Sequence, residues 1–243
     1  MTIIAVIQAR MGSTRLPGKV MMKIKGKSVL AHVISRVKQS KEIDDIVIAT
    51  TTKADDDAIV EEANKLNVKC FRGSEDDVLS RYYYAAKENK ADVVVRITSD
   101  CPLIDPHVID ETISFYKKNE YVYVANAGPN SDQRTYPRGL DTEVFSLNQL
   151  VIAYKEANEI YQREHVTPYI YESNNNIFYY KNDIDYSKQR WTLDTFEDFK
   201  LITTIYEELY NGQHDFYLKE IMELFERKPE LFNINCHVKQ KHL

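Results

Sequence analysis

The sequence predicts an α/β fold in which a mostly parallel, twisted sheet is flanked by helices. In the first half of the chain, short continuous apolar runs alternate with longer segments whose apolar residues recur at helical spacing. Continuous apolar runs are typical of parallel strands covered on both faces, and this alternation favours right-handed crossover connections. Because the 243 residues contain no linker, repeat or low-complexity segment, we expect one domain.

The first half supplies the parallel strands and the helices between them. The helix that begins at Asp55 carries acidic residues in its first turn, where they interact favourably with the helix dipole. The strands are predicted at Ile3–Ile7, Asp45–Ala49, Val68–Arg72 and Asp92–Thr98, and the helices at Ser28–Gln39, Asp55–Leu66 and Asp76–Asn89.

The second half follows a different pattern and is expected to contain a smaller insertion with β-strands. Thr195 and Asp198 form a Thr-x-x-Asp signal for the start of a helix. In chain order, the predicted segments are a strand at Tyr121–Asn126, a polar loop at 128–139, a strand at Glu143–Phe145, helices at Leu147–Ala157 and His165–Glu172, strands at Ile177–Lys181 and Trp191–Leu193, a helix from Thr195, and a helix at Tyr217–Arg227.

Composition excludes several classes of protein. A net charge of -5 and a pI of about 5.7, without basic and aromatic residues interleaved on one face, disfavour nucleic-acid binding. No apolar run approaches the roughly 18 residues of a membrane-spanning helix, and the N-terminus lacks the pattern of a signal peptide. Cys70, Cys101 and Cys236 have no metal-ligand spacing and fit a reducing cytoplasm, where we expect the protein.

The segment Ala9–Lys19, directly after the first strand, has the residues of a phosphate-binding loop. Its glycines allow backbone N–H groups to approach a ligand closely, and Arg10, Arg15 and Lys19 supply positive charge. Nine Lys or Arg residues precede Glu42, the first acidic residue, although the whole chain is acidic. Such a local concentration of positive charge suits a polyphosphate. The alternative is a solvated basic loop.

Two aspartates are candidates for a metal site. Asp100 follows a buried strand and Asp194 follows the apparent strand Trp191–Leu193. The carboxyl ends of parallel strands share one edge of a sheet, so both carboxylates could hold one Mg²⁺ together with substrate phosphates. The alternatives are a turn residue for Asp100 and a helix cap for Asp194.

Several motifs together carry a resemblance to a known family. Ala9–Lys19 resembles the signature loop of the sugar cytidylyltransferases, which are CMP-sugar synthetases for ketodeoxyoctonate and sialic-acid-type nonulosonates. The resemblance is strongest to the spore-coat polysaccharide SpsF-type branch, and it extends from residue 3 to about residue 198. Phe196 departs from the pattern, since relatives usually have Pro there. The other matching segments are 71–82, 96–105, 137–145, 163–169 and 190–195.

The resemblance implies a Rossmann-like nucleotide-diphospho-sugar transferase fold and roles for particular residues. Residues 1–110 would form the nucleotide-binding half, and residues 111–243 the acceptor-binding half with C-terminal helices. The implied catalytic residues are Arg10, Arg15, Lys19 and Asp100, the implied Mg²⁺ ligands are Asp100 and Asp194, the implied nucleotide contacts are Ala9, Gly12, Ser13, Arg72, Asp77 and Ser99, and the implied acceptor contacts are Asp141, Glu143, Arg163 and His165.

Some of these roles have structural alternatives. The family pattern also brings Arg81 near the nucleotide, but Asp77 and Arg81 are four residues apart on a helix and could form a surface ion pair. His165 could deprotonate the acceptor hydroxyl or could be a hydrogen-bonded structural histidine.

The resemblance implies an enzyme, a nucleotidyltransferase. It would transfer CMP from CTP to a sugar or sugar-acid acceptor and release pyrophosphate, in the biosynthesis of a surface polysaccharide. A homodimer, common among relatives, is compatible with this. One alternative is a glycosyltransferase that uses a nucleotide-sugar, which would need an Asp-x-Asp motif that 98–102 lacks. The other is a regulatory module that binds a nucleotide without catalysis.

Overall fold

The structure is a computed structural model that describes residues 1–240. Its strands are β1 (Ile3–Gln8), β2 (Lys23–Ile24), β3 (Lys27–Ser28), β4 (Asp45–Thr51), β5 (Lys69–Gly73), β6 (Val93–Thr98), β7 (Tyr123–Ala125), β8 (Glu143–Ser146) and β9 (Ile177–Tyr179). Its helices are α1 (Val29–Val37), α2 (Asp57–Lys65), α3 (Val78–Glu88), α4 (Pro106–Lys118), α5 (Leu147–Glu156), α6 (Ile160–His165), α7 (Pro168–Glu172), α8 (Phe196–Leu209) and α9 (Leu218–Arg227). Short 3₁₀ turns occur at Lys19–Met21, Ala54–Asp56, Ser131–Gln133 and Pro229–Ile234.

Seven strands form one sheet in the order β5-β4-β1-β6-β8-β7-β9, and β2 and β3 form a separate hairpin. The strands β5, β4, β1 and β6 are parallel to one another. β8 is antiparallel to both β6 and β7, and β9 is parallel to β7. The chain leaves β1 toward β4 on one side and returns to β6 on the other, so ligands are expected at the carboxyl ends of β1 and β6.

Helices cover both faces of the sheet. One face packs on α1, α2 and α4, and the other packs on α3, α5 and α7. A third apolar cluster, which includes Trp191, joins α8 and α9 to the end of the sheet. Since side chains alternate along a strand, Gln8, Arg96 and Glu143 lie on the α3 face, two residues beyond the apolar residues that α3 covers. This face therefore presents polar groups at the carboxyl edge.

The mostly parallel α/β fold with flanking helices is confirmed, and most predicted elements lie within two residues of their predicted bounds. Within residues 1–240, no helix is long and apolar enough to span a membrane. The helix α4 was not predicted, although Asp105 caps it through His107 N and Pro106 occupies its first turn.

Two predictions in the second half are wrong. Residues 191–193 are not a strand, because their backbone bonds with loops: Trp191 N donates to Arg138 O at 2.7 Å and Leu193 N donates to Asp100 O at 2.8 Å. The predicted helix His165–Glu172 is divided between α6 and α7, since Val166 has a φ of 74° and cannot continue a helix.

Two buried histidines connect α1 to the segment after α8. Nε2 of His32 contacts the carbonyl oxygen of Ile24 at 2.8 Å, and Nδ1 of His32 contacts Nε2 of His214 at 2.8 Å. Because a carbonyl only accepts, this network assigns the proton of His32 to Nε2, and His214 donates to the free Nδ1. Burial lowers the pKa of His32 to about 4 and the pKa of His214 to about 3.

Because of these two histidines, we expect the stability of the fold to depend on pH. Both histidines stay neutral in the folded protein but take up protons below about pH 6.5 when the chain unfolds, so the free energy of unfolding falls as the pH drops below that value. We expect a loss of about 2 kcal/mol per histidine between pH 7.5 and pH 5 in chemical denaturation. The variant His32→Gln/His214→Gln should lose much less over this range. A variant at the exposed His237, His237→Gln, should behave as the wild type, and equal slopes for all three proteins would contradict the prediction.

Candidate active site

A cleft of about 1270 Å³ opens at the carboxyl edge of the sheet, where the topology predicts a ligand site. The loop after β1, the loop after β6 and the segment before α8 form one side of the cleft. The segment after β7, the start of β8 and the helices α6 and α7 form the other. The predicted site residues that line it are Ala9, Arg10, Ser13, Arg15, Lys19, Ser99, Asp100, Asp141, Glu143, His165 and Asp194.

The loop Ala9–Lys19 is held in place by a buried carboxylate. Asp56 accepts from Met11 N at 2.7 Å and from both the N–H, at 3.2 Å, and the hydroxyl of Thr51. The loop closes on itself, because Ser13 N and Gly18 N both donate to Met11 O, and Gly18 adopts a φ of 69° that favours glycine. Asp56 was not predicted as a site residue, since it acts by holding the loop.

Lys19 brings the two predicted metal ligands together. Its ammonium lies 2.6 Å from Asp100 Oδ2 and 2.9 Å from Asp194 Oδ1, and it also donates to Leu193 O at 2.7 Å. Burial alone would lower the pKa of Lys19, but the attraction of Asp100 and Asp194 outweighs it and raises that pKa. Burial would likewise raise the pKa of Asp100, and the ammonium of Lys19 reverses this and lowers it. The structure therefore brings the two carboxylates together at one ammonium group, and their joint binding of a metal stays a prediction.

Asp194 is fixed by further cations. Arg15 lies 2.9 Å from its Oδ1, and Arg190 lies 2.8 Å from its Oδ2. Arg190 also pairs with the buried Asp198, which forms a capping box with Thr195 at the start of α8. Thr195 is thus the helix cap, and the alternative reading of Asp194 as a cap is wrong. Arg190 and Asp198 were not predicted as supports for the site.

The donor set at this point fits Mg²⁺. Asp100 and Asp194 offer hard carboxylate oxygens, and both already hold one cation, the ammonium of Lys19. In the part of the chain that the structure describes, no group of three or more His, Cys, Asp and Glu side chains could hold a metal ion. The remaining ligands would be phosphate oxygens and water, which is the usual coordination of Mg²⁺ at nucleotide sites.

On the opposite side of the cleft, Glu143 belongs to a largely buried network. Its carboxylate pairs with Arg96 and accepts from the hydroxyls of Tyr123 at 2.9 Å and Thr167 at 2.5 Å. Glu143 is only 9% exposed, and its attraction raises the pKa of the largely buried Arg96 against the effect of burial. Glu143 therefore forms part of the cleft floor with its oxygens already engaged. Asp141, also at the cleft, pairs with Arg134 through two hydrogen bonds.

Four residues with predicted ligand contacts are not among those that line the cleft: Gly12, Arg72, Asp77 and Arg163. Arg163 donates twice to Asp77, at 2.6 and 3.0 Å, and so joins α6 to the start of α3. Arg72 donates to Asp57 and to the carbonyls of residues 51 and 53. These ion pairs therefore connect segments behind the cleft and do not line it. The alternative ion pair between Asp77 and Arg81 is wrong, since Asp77 binds Arg163.

Arg81 is a buried cation at the cleft that lacks a counter-charge in contact. It is 2% exposed and lines the cleft, and its Nε and Nη1 have no hydrogen-bond partner among residues 1–240. Burial lowers its pKa. The side-chain oxygen of Gln8, also on the cleft, is likewise buried and has no partner in the described part of the chain. Because buried polar groups are nearly always paired, these atoms point to a polar ligand.

The fold and the cleft define an α/β nucleotide-binding enzyme with clustered cations at the switch point of its sheet. Comparisons with known proteins refine this class. The chain matches the cytidylyltransferase family over residues 4–241. It is 43% identical to an uncharacterised protein of Methanocaldococcus jannaschii, across 99% of this chain and 97% of that protein. It is 34% identical to the spore coat polysaccharide biosynthesis protein SpsF of Bacillus subtilis, across 94% and 95%.

A solved structure agrees. A cytidylyltransferase from Leptospira borgpetersenii superposes with a TM-score of 0.89 at 35% identity, and the match covers all of both chains. The chain therefore belongs to the cytidylyltransferase family and is a nucleotidyltransferase.

The network around Glu143 predicts a large effect on stability. Glu143→Ala leaves the guanidinium of Arg96 buried without a partner, so the free energy of unfolding should fall by about 3–5 kcal/mol in urea denaturation. Asp57→Ala removes an exposed partner of Arg72 and should cost less than about 1 kcal/mol. Equal losses for the two variants would show that Glu143 is free to serve mainly as a ligand contact.

Proposed function

We propose that this enzyme transfers CMP from CTP to a sugar or sugar-acid acceptor and releases pyrophosphate, in the synthesis of a surface polysaccharide. The observation that carries the proposal is the cluster in which Lys19 joins Asp100 and Asp194 beside the cations Arg10 and Arg15. This arrangement supplies both the positive charge that a triphosphate needs and the carboxylates that its metal needs.

Catalysis by these residues would be mainly positioning and neutralisation of charge. The triphosphate of CTP repels an incoming oxygen nucleophile until its charge is offset. The guanidinium groups of Arg10 and Arg15 can each bind two phosphate oxygens at once, whereas the ammonium of Lys19 acts as a point charge. Backbone N–H groups of the loop add donors close to the phosphates. Mg²⁺ held by Asp100 and Asp194 would neutralise charge on the phosphates and orient the α-phosphate.

The acceptor would bind in the other half of the cleft. That half is lined by Arg134, Arg138, Asp141 and His165, with Tyr171 beside them. Hydroxyl and carboxylate groups of a sugar acid match these donors and acceptors. His165, at the end of α6, is placed on the cleft where it could take a proton from an acceptor hydroxyl, and this role stays a prediction. A cytoplasmic location and a homodimer also stay predictions.

The two alternatives differ from this proposal in what they do with CTP. A glycosyltransferase would use a nucleotide-sugar and needs an Asp-x-Asp motif after a strand, whereas β6 is followed by Ser99, Asp100 and Cys101. A regulatory module would bind CTP without releasing pyrophosphate. Release of pyrophosphate from CTP distinguishes the proposed transfer from both alternatives, since neither of them forms it.

The first experiment combines binding and turnover. With Mg²⁺ and a panel of sugar acids, CTP should raise the melting temperature, because it binds only the folded state, and should yield pyrophosphate. ATP, GTP and UTP are the controls. Equal melting shifts with all four nucleotides would contradict the assignment of cytosine, and a CTP shift without pyrophosphate from any acceptor would favour the regulatory module.

The second experiment concerns the carboxylates. Asp100→Asn and Asp194→Asn should each abolish Mg²⁺-dependent turnover, and the double variant should lose little more, because both residues serve one ion. Asp45→Asn changes a carboxylate away from the cleft that pairs with Lys69, and should keep wild-type turnover. Losses that multiply in the double variant would mean that the two aspartates act independently.

A further inference from the structure

All three N–H bonds of the Lys19 ammonium are already used. They point to Asp100 Oδ2 at 2.6 Å, to Asp194 Oδ1 at 2.9 Å and to Leu193 O at 2.7 Å. An ammonium group has three donors and no acceptor. Lys19, which is 9% exposed, therefore has no N–H group left for a phosphate oxygen unless it breaks one of these bonds.

The oxygens that Lys19 holds are the ones a metal would need. Asp100 Oδ1 accepts from the hydroxyl of Thr98 at 2.6 Å, and Asp194 Oδ2 accepts from Arg190 at 2.8 Å. The other oxygen of each carboxylate faces Lys19, and that of Asp194 also lies 2.9 Å from Arg15 at the side of the cleft. A Mg²⁺ ion bound at about 2.1 Å from these same two oxygens would lie against the ammonium. The two cations would repel each other strongly at that distance, so only one of them can occupy the position.

We propose that Lys19 is a placeholder cation that occupies the metal position until a nucleotide arrives. The triphosphate offers Lys19 new anionic partners, so the ammonium moves onto a phosphate and the metal takes its place between Asp100 and Asp194. Mg²⁺ would thus bind with the nucleotide and not before it. The nucleotide step rests on the proposed function, whereas the competition between Lys19 and a metal concerns the free protein alone.

The competition can be measured without any nucleotide. Mn²⁺ serves as the metal probe, and its binding is followed by electron paramagnetic resonance. The wild-type protein should bind Mn²⁺ only in the millimolar range. Lys19→Met vacates the position and should tighten Mn²⁺ binding at least about tenfold, because a positive charge in contact with the site is removed.

A matched control distinguishes occupation of the metal position by Lys19 from a general effect of positive charge on Mn²⁺ binding. Arg10→Met removes a positive charge from the same loop, but the guanidinium of Arg10 lies 3.9 Å from Glu75 and contacts neither aspartate. It should leave the Mn²⁺ affinity within about twofold of the wild type, since an exposed charge is strongly screened. The variant Lys19→Met/Asp100→Asn should lose the tightened binding, which assigns the bound metal to the aspartate pair.

Three results would overturn the proposal: micromolar binding of Mn²⁺ by the nucleotide-free wild type, unchanged affinity in Lys19→Met, or equal gains in Lys19→Met and Arg10→Met. If Lys19→Met does not fold, Lys19→Gln keeps a donor for Leu193 O and replaces it in the comparison. Since no nucleotide is present, these results are independent of whether CTP proves to be the substrate.

Discussion

Three segments that are far apart in the sequence meet at the ammonium group of Lys19. It contacts Asp100 after β6, Asp194 before α8, and the backbone of Leu193, while its own loop follows β1. Without that cation, two carboxylates would face each other in a largely buried position, which is costly for folding. The same interaction therefore closes the cleft at one end and holds together the two carboxylates at which we propose that a metal binds. Arg15 and Arg190 extend the network to the loop and to α8.

A second network fixes the opposite side of the cleft. Glu143 on β8 pairs with Arg96 on β6, its register partner in the antiparallel part of the sheet, and with Thr167 at the start of α7. The strand reversal at β8 thus places a carboxylate beside a guanidinium at the carboxyl edge. Between the two networks, the buried donors of Arg81 are left for a ligand. The cleft is thus bounded on two sides by networks of ion pairs and has buried donors between them that are unpaired within residues 1–240.

Much of this could be predicted from the sequence. Continuous apolar runs identified the parallel strands, and the residue types in Ala9–Lys19 predicted a phosphate-binding loop, which the structure places at the cleft. The segment Trp191–Leu193 was wrongly predicted as a strand, because its apolar side chains are buried by α8 and α9 and its backbone does not pair with a strand. Arg190 and Asp56 escaped prediction because they act on other site residues, and such contacts depend on the tertiary fold. Asp77 and Arg163 were predicted as separate ligand contacts, but they form an ion pair with each other. Because the two residues are 86 positions apart, the sequence alone did not indicate this pair.

In the proposed function, the cluster of Lys19, Asp100 and Asp194 holds CTP and its metal. A crystal structure of the protein with CTP and Mg²⁺ would show whether it does. We expect the triphosphate over the loop Ala9–Lys19, the metal between the two aspartates, and the ammonium of Lys19 moved onto a phosphate oxygen. A nucleotide bound outside the cleft, or a metal held by other residues while Lys19 keeps both aspartates, would contradict this expectation.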